Sequence, residues 1–427
     1  MRLIAQRIYA LLTHEYFLYA IVLTICIGTY YARAAVSIAT VALGVVGLFT
    51  VLQADRRREI LRDHSIVALT SVFLVVAISG LISSNTEMWL VRVFTNIPYL
   101  AIPAGIWAFG PFDKKIIVRL MLIFIVITSI SAAAMMADYA MHFKAYNELY
   151  LVGKIIPTPI IHVRYSYFLA VAAICCFGLV MDKLNAAPKA KMTIGAIGIF
   201  LAVCTHVLAV RTGILALYGG ILTLVVLLII REKKWQIGIG ALLLVVLVAI
   251  GSTKFLPSVA NKMGYVLHDL KMYTKKVSPE YSDNIRFVSI RHGINIFLEN
   301  PLFGVGVGDI DDATKAMYES ETPSVPKDRR FPPISQFVFW LASFGIVGTA
   351  VLIGLLVYPL FRHGRHSYLL WGIYALTAFS FFGETTIQLQ LGKTIFLLLI
   401  VIVLQWERLG VNGVSDKAIK LEVKEVV

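Results

Sequence analysis

Thr212-Gly-Ile-Leu-Ala-Leu-Tyr-Gly-Gly-Ile-Leu-Thr-Leu-Val-Val-Leu-Leu-Ile-Ile230 carries no charged residue between Arg211 and Arg231. A hydrocarbon core about 30 Å thick is crossed by about 20 apolar residues in a helix, so this stretch reads as a membrane span. Further apolar runs lie at roughly 17–32, 34–53, 66–82, 92–110, 115–136, 164–181, 192–210, 236–255, 334–360, 367–383 and 393–408. Hydrophobic residues make up 59% of the 427 and charged residues only 15%, where an ordinary soluble domain has about a quarter charged. The fold expected is all-α, a polytopic membrane helix bundle of about 12 transmembrane helices, because lipid cannot bond an unpaired backbone.

Every second short loop is basic. Arg56-Arg57-Arg58, Lys114-Lys115, Lys189 with Lys191, Arg231 with Lys233 and Lys234, and Arg362 with Arg365 alternate with less basic connections. Positive residues stay on the cytoplasmic side, which puts both termini there. The polar Met1–Tyr16 segment, with no small-residue cleavage pattern after the first span, reads as uncleaved. The expected organisation is residues 1–255 as transmembrane helices 1 to 9, 256–333 as one long, helical periplasmic loop, 334–408 as helices 10 to 12, and 409–427 as a cytoplasmic tail.

Cys26, Cys175, Cys176 and Cys204 fall inside spans with neither disulfide nor zinc spacing. No phosphate-binding loop, dinucleotide fingerprint or His-Glu-x-x-His is present. No metal, cofactor or nucleic-acid partner is expected. Arg33, Arg92, Arg164, Arg211 and Lys393 stand at or within outer span ends, where a cation is costly unless paired or facing water. Snorkelling to the headgroups is the competing reading for Arg33 and Arg92. In the long loop, Asp283 or Asn284 caps a helix that ends near Asn300, before Pro301, and presents Arg286 and Arg291. Planar guanidinium groups match phosphate oxygens in pairs. Gly304, Gly306 and Gly308 then offer close approach to a ligand, although alternate glycines also fit an ordinary turn.

Arg291 followed by Phe297-Leu-Glu-Asn-Pro301-Leu-Phe-Gly304-Val-Gly306-Val-Gly308 resembles the signature of the O-antigen ligase and O-antigen polymerase superfamily. Ile156-Pro-Thr-Pro159-Ile-Ile-His162-Val-Arg164-Tyr-Ser166, Arg211-Thr-Gly213, Tyr281-Ser-Asp-Asn-Ile-Arg286, Ser343-Phe-Gly345-Ile-Val-Gly348 and Glu384-Thr-Thr-Ile-Gln-Leu-Gln390-Leu-Gly392 resemble further blocks in the same order. The resemblance covers roughly residues 150 to 405. It implies a metal-independent, inverting glycosyltransferase of lipopolysaccharide biosynthesis in the bacterial inner membrane, with its active face periplasmic. The donor implied is an undecaprenyl-pyrophosphate-linked glycan, the acceptor lipid A-core or another glycan, and the surroundings membrane lipid. Arg164, Arg211, Arg286 and Arg291, with the three glycines, are the implied substrate-binding residues.

The sequence departs from the family where a Pro-His-Asn-Gln segment usually supplies the base. Here it reads Pro333-Ile334-Ser335-Gln336. Ile334 cannot accept a proton, and Ser335 is a poor base without a partner. The groups left to serve are Glu384 first, then His162, then Asp283. Each has a plainer alternative. Glu384 could cap its segment or pair with Lys393, and His162 could bond to backbone. Three functional readings stay open: a ligase, a polymerase of the same superfamily, or a non-catalytic protein that binds or transports lipid-linked glycan.

Overall fold

In the computed structural model, residues 12–151, 154–182, 187–233, 235–262, 264, 282–365 and 367–406 are described, and among them there is no strand. The chain runs through α1 (Glu15–Tyr31), α2 (Arg33–Leu52), α3 (Ala54–Arg62), α4 (His64–Ile78), α5 (Thr86–Thr95), α6 (Pro98–Phe109), α7 (Lys114–Met141) and α8 (Phe143–Leu151). It continues through α9 (His162–Met181), α10 (Pro188–Leu208), α11 (Arg211–Glu232), α12 (Trp235–Phe255), α13 (Ser282–Glu299), α14 (Ile310–Glu321), α15 (Gln336–His363), α16 (Tyr368–Ser380) and α17 (Gln390–Trp406).

Among the described residues, eight helices are long and apolar enough to cross a membrane, and α1, α16 and α17 are shorter apolar helices. The chain is a multi-pass membrane protein. Burial sorts the helices by place: 83% of the apolar window of α9 is enclosed by protein, against 6% for α12. Thus α9 is central and α12 faces lipid. From Ile395 to Val403 every residue of α17 is buried, so this helix is surrounded by others and its sequence is apolar all round. Helix α9 packs on α10, α11 and α16, while α15 packs on α4 and α13.

The run expected as one span at 92–110 is two helices, α5 and α6. Pro98 has no N–H to continue a helix and starts α6 instead. The freed end of α5 is covered by side chains: Asn96 Nδ2 donates to Arg92 O at 2.8 Å, and Lys393 Nζ donates to Thr95 O at 2.8 Å and to Asn96 Oδ1. A cation at the negative end of a helix is favourable. Lys393 is therefore engaged with α5 rather than with Glu384.

A second interruption sits inside α15. Gly345 has φ 61° and ψ −169°, a backbone region essentially closed to other residues. The groups released there do not stay unpaired. Val305 N and Gly306 N donate to Ala342 O and Ser343 O at 3.0 and 2.9 Å, and Ile346 N and Val347 N donate to Pro301 O and Leu302 O at 2.9 and 3.2 Å. The glycine run of residues 301–308 is thus spliced into the break, with Gly304 at φ +69° lying against the Ser343 backbone. Gly345→Ala should lower unfolding stability in detergent by about 2 kcal/mol or more, from backbone strain and a clash with the Leu302 carbonyl. A shift in the chemical-denaturation midpoint measures it.

Between Phe255 and Gln336 no described helix qualifies as a span. Helix α13 ends before Pro301, as the sequence predicts; the side chains of Asp283 and Asn284, expected to cap it, lie outside the described residues. The segment after it is clamped to the loop before α5. Asp309 accepts from Ser84 N and Asn85 N at 2.7 Å each, and Arg92 pairs with Asp311 at 2.8 Å. That pair, rather than snorkelling, accounts for Arg92.

Candidate active site

The turn between α16 and α17 carries Glu384, and two neighbouring elements hold it. Ser335 Oγ and Gln336 N both donate to Phe381 O, at 3.0 and 2.9 Å, while Gln336 Oε1 accepts from Ile387 N at 3.2 Å. Arg286, on α13, donates from Nη1 to Gly383 O at 2.7 Å. From within, Ser380 Oγ meets Thr386 Oγ1 at 2.6 Å. The Pro333–Gln336 segment, where the family usually carries its base, therefore acts as a strut for the turn that carries Glu384.

Helices α9 and α11 run parallel and bring their N-termini to this turn. A Cβ on Gly383 would stand 2.7 Å from the Thr212 methyl, and one on Gly213 would stand 2.6 Å from Ser166 Cβ. Such close approach is why small residues occupy both positions. Neither N-terminus has a side-chain cap. Their first-turn N–H groups and positive dipole ends add to the charge of Arg164 and Arg211, and favour an anion. Val163, Arg164, Thr212, Ser380, Glu384 and Thr386 are in the wall of a cavity of about 10 Å3, the space of one water molecule. The Thr212 hydroxyl is buried there without a partner among the described residues.

Glu384 is the carboxylate among these cations. Burial pushes its carboxyl above the ordinary range, while Arg286 and Arg164 pull the other way. A carboxylate with a raised pKa is a stronger base, and the two guanidinium groups keep the charged form accessible. His162, the first residue of α9, feels Lys262 and Arg286. Arg33, on α2, acts on Arg164. Lys262 belongs to no motif and becomes visible only when the helix ends are brought together, whereas Arg33 was already marked in the sequence as a span-end cation.

The expected site residues thus divide. Arg164, Arg286, His162 and Glu384 are brought together, and Arg211 stands beside them at the start of α11. Arg291 is not with them: it is 74% exposed, and its Nε lies 4.0 Å from Glu321. Five residues along a helix is well over one turn, so Arg286 and Arg291 face differently. Glu321 also accepts from Asn295 Nδ2 at 2.9 Å, which ties α13 to α14. Gly304 and Gly306 serve the α15 junction, and Gly308 N donates to Ser83 Oγ at 3.1 Å. The Ser335 hydroxyl is spent on Phe381 O.

Residues 196–353 match the O-antigen ligase family. The match supports the O-antigen ligase and polymerase superfamily that the sequence resembles, whose members are glycosyltransferase-like enzymes acting on a lipid-linked glycan and a glycan acceptor. No curated protein matches the chain. The O-antigen ligase match includes Arg211, Arg286, Arg291 and the glycine run. His162, Arg164 and Glu384 lie outside it, and reach the same place through the parallel packing of α9 with α11 and the turn after α16.

Proposed function

We propose that the protein transfers a glycan from undecaprenyl pyrophosphate to lipid A-core at the periplasmic face of the bacterial inner membrane. The observation that carries this reading is the part-buried Glu384 facing Arg164 and Arg286 beside two uncapped helix N-termini. The acceptor hydroxyl oxygen attacks the anomeric carbon, the bond from that carbon to the phosphate oxygen breaks, and lipid pyrophosphate leaves. The hydroxyl proton passes to Glu384. Arg211 and Arg286, with Arg164, balance the charge that develops on the leaving group, where fixed donors in a water-poor site act most strongly.

A purified full-length chain, given lipid-linked glycan and lipid A-core, tests this. Arg211→Ala should lower transfer by about 100-fold, the usual effect of removing one donor from developing charge. Undiminished transfer by that variant would sink the proposal. Ile334 in the usual base position favours a second reading, in which the chain holds lipid-linked glycan without reacting it. Donor binding with no transfer by the unchanged chain is the result that selects it. Product length separates the two enzymes of the superfamily, because a polymerase extends lipid-linked repeats and leaves lipid A-core bare.

A further inference from the structure

The far ends of the same helices enclose a second site. Lys114 at the start of α7, Asp182 after α9, Arg231 at the end of α11, Arg365 after α15, Tyr368 at the start of α16 and Trp406 at the end of α17 line a cleft of about 840 Å3. It lies at the membrane face opposite Glu384, since α11 begins beside Glu384 at Thr212 and ends here. Of its two carboxylates, Asp182 is occupied: it accepts from Tyr368 N at 2.6 Å, Leu369 N at 3.1 Å and Ser367 Oγ at 3.2 Å, which caps α16. Glu232 is the other. Lys114, Arg231 and Arg365 thus face two carboxylates, one of which is committed to the start of α16.

Aromatic rings hold two of those cations in place. Arg231 stacks on Tyr368 at 4.9 Å and Lys114 lies over Trp406 at 5.2 Å. Arg231 Nη2 donates to Gly364 O at 2.6 Å, which leaves Nη1 buried without a hydrogen-bond partner among the described residues. Tyr368 is 6% exposed and its hydroxyl also lacks one. Two unsatisfied buried donors in one cationic wall call for an acceptor. Lys and Arg flanked by Trp at a membrane edge is also the headgroup-level pattern.

The cleft does not end at the polar level. Leu360 and Trp371 line it and also line an apolar cavity of about 330 Å3 that follows α15 and α16 toward Phe337 and Phe381. A phosphate beside Arg231 would therefore have an apolar channel within reach of whatever is attached to it. We infer that this cleft binds an anionic phospholipid of the leaflet opposite the candidate active site, with its phosphate among Lys114, Arg231 and Arg365 and an acyl chain in the apolar cavity. The inference does not depend on the glycosyl-transfer reading.

Native mass spectrometry of the full-length chain, titrated with phosphatidylglycerol or with phosphatidylcholine of the same acyl chains, tests it. Phosphatidylglycerol should bind at about tenfold lower concentration, and the preference should vanish in a Lys114→Gln, Arg365→Gln double variant, because each juxtamembrane cation contributes modestly to anionic-lipid binding. Both side chains are exposed, so the double variant should keep its fold. The preference should persist in Arg211→Ala. Equal binding of the two lipids, an unchanged preference in the double variant, or its loss in Arg211→Ala would each overturn the inference. So would protection from thermal unfolding by inorganic phosphate alone at millimolar concentration with no lipid preference, which would mark a free-anion site. A preference that appears only after residues 407–427 are removed would make the chain's own tail the occupant, with the same consequence.

Discussion

Glu384→Gln should lower glycan transfer by about 100- to 10,000-fold, the range usual for removing a positioned general base. The amide keeps the size and polarity of the carboxyl, so the loss would lie in proton transfer rather than in packing. Donor binding should survive, which places the effect in kcat. The pH dependence has a definite sign. Burial holds the Glu384 carboxyl above its ordinary range, so transfer should fall as pH drops through that raised pKa, and the acid limb should be absent from the residual activity of Glu384→Gln. Placing a base back at the usual family position is the complementary measurement. If Glu384 has taken over the role, an Ile334→His, Ser335→Asn variant should gain little in the unchanged background and should restore part of the loss in Glu384→Gln. Full transfer by Glu384→Gln would remove the carboxylate from the mechanism.

Arg286→Ala should cost more than any other single cation, on the order of 1,000-fold in transfer, at the upper end for one fixed donor. It has two tasks. Its charge faces the reacting region, and its Nη1 tethers Gly383 O at 2.7 Å, next to Glu384. Arg286→Lys keeps the charge without the planar fork and should recover only part of the rate. Arg291→Ala is the control: its partner is Glu321 at 4.0 Å on an exposed surface, and exposed pairs contribute at most about 1 kcal/mol. Transfer within a few-fold of the unchanged chain is expected. An Arg291→Ala loss as large as that of Arg286→Ala would show that both guanidinium groups bind the donor.

The membrane class was plain in the apolar runs, because a span is a one-dimensional property of sequence. Its exceptions were not. The run at 92–110 is apolar throughout its second half, and Lys393, nearly three hundred residues later, joins Asn96 in satisfying the end of α5. The motif residues were legible as chemistry and less so as geometry. Arg286 and Arg291 look equivalent in a basic helix, but helical phase sends one to Gly383 and the other to Glu321. Gly304, Gly306 and Gly308 read as positions for a ligand, yet backbone needs close approach as much as a phosphate does, and here the partners are α15 at Gly304 and the loop before α5 at Gly306 and Gly308. Ser335 read as a poor base next to the usual base position. Its bond to Phe381 O shows a residue that fixes the Glu384 turn, a role that depends on a segment 46 positions away.

The splice at Gly345 bears on how substrates reach the reacting groups. Four backbone hydrogen bonds join residues 301–306 to the two halves of α15, and lifting that segment would leave their donors and acceptors bare near apolar depth, at several kcal/mol for each unsatisfied group. Residues 301–306 therefore cannot swing aside as a hinged cover. Any substrate of the Glu384 region has to pass around this fixed corner.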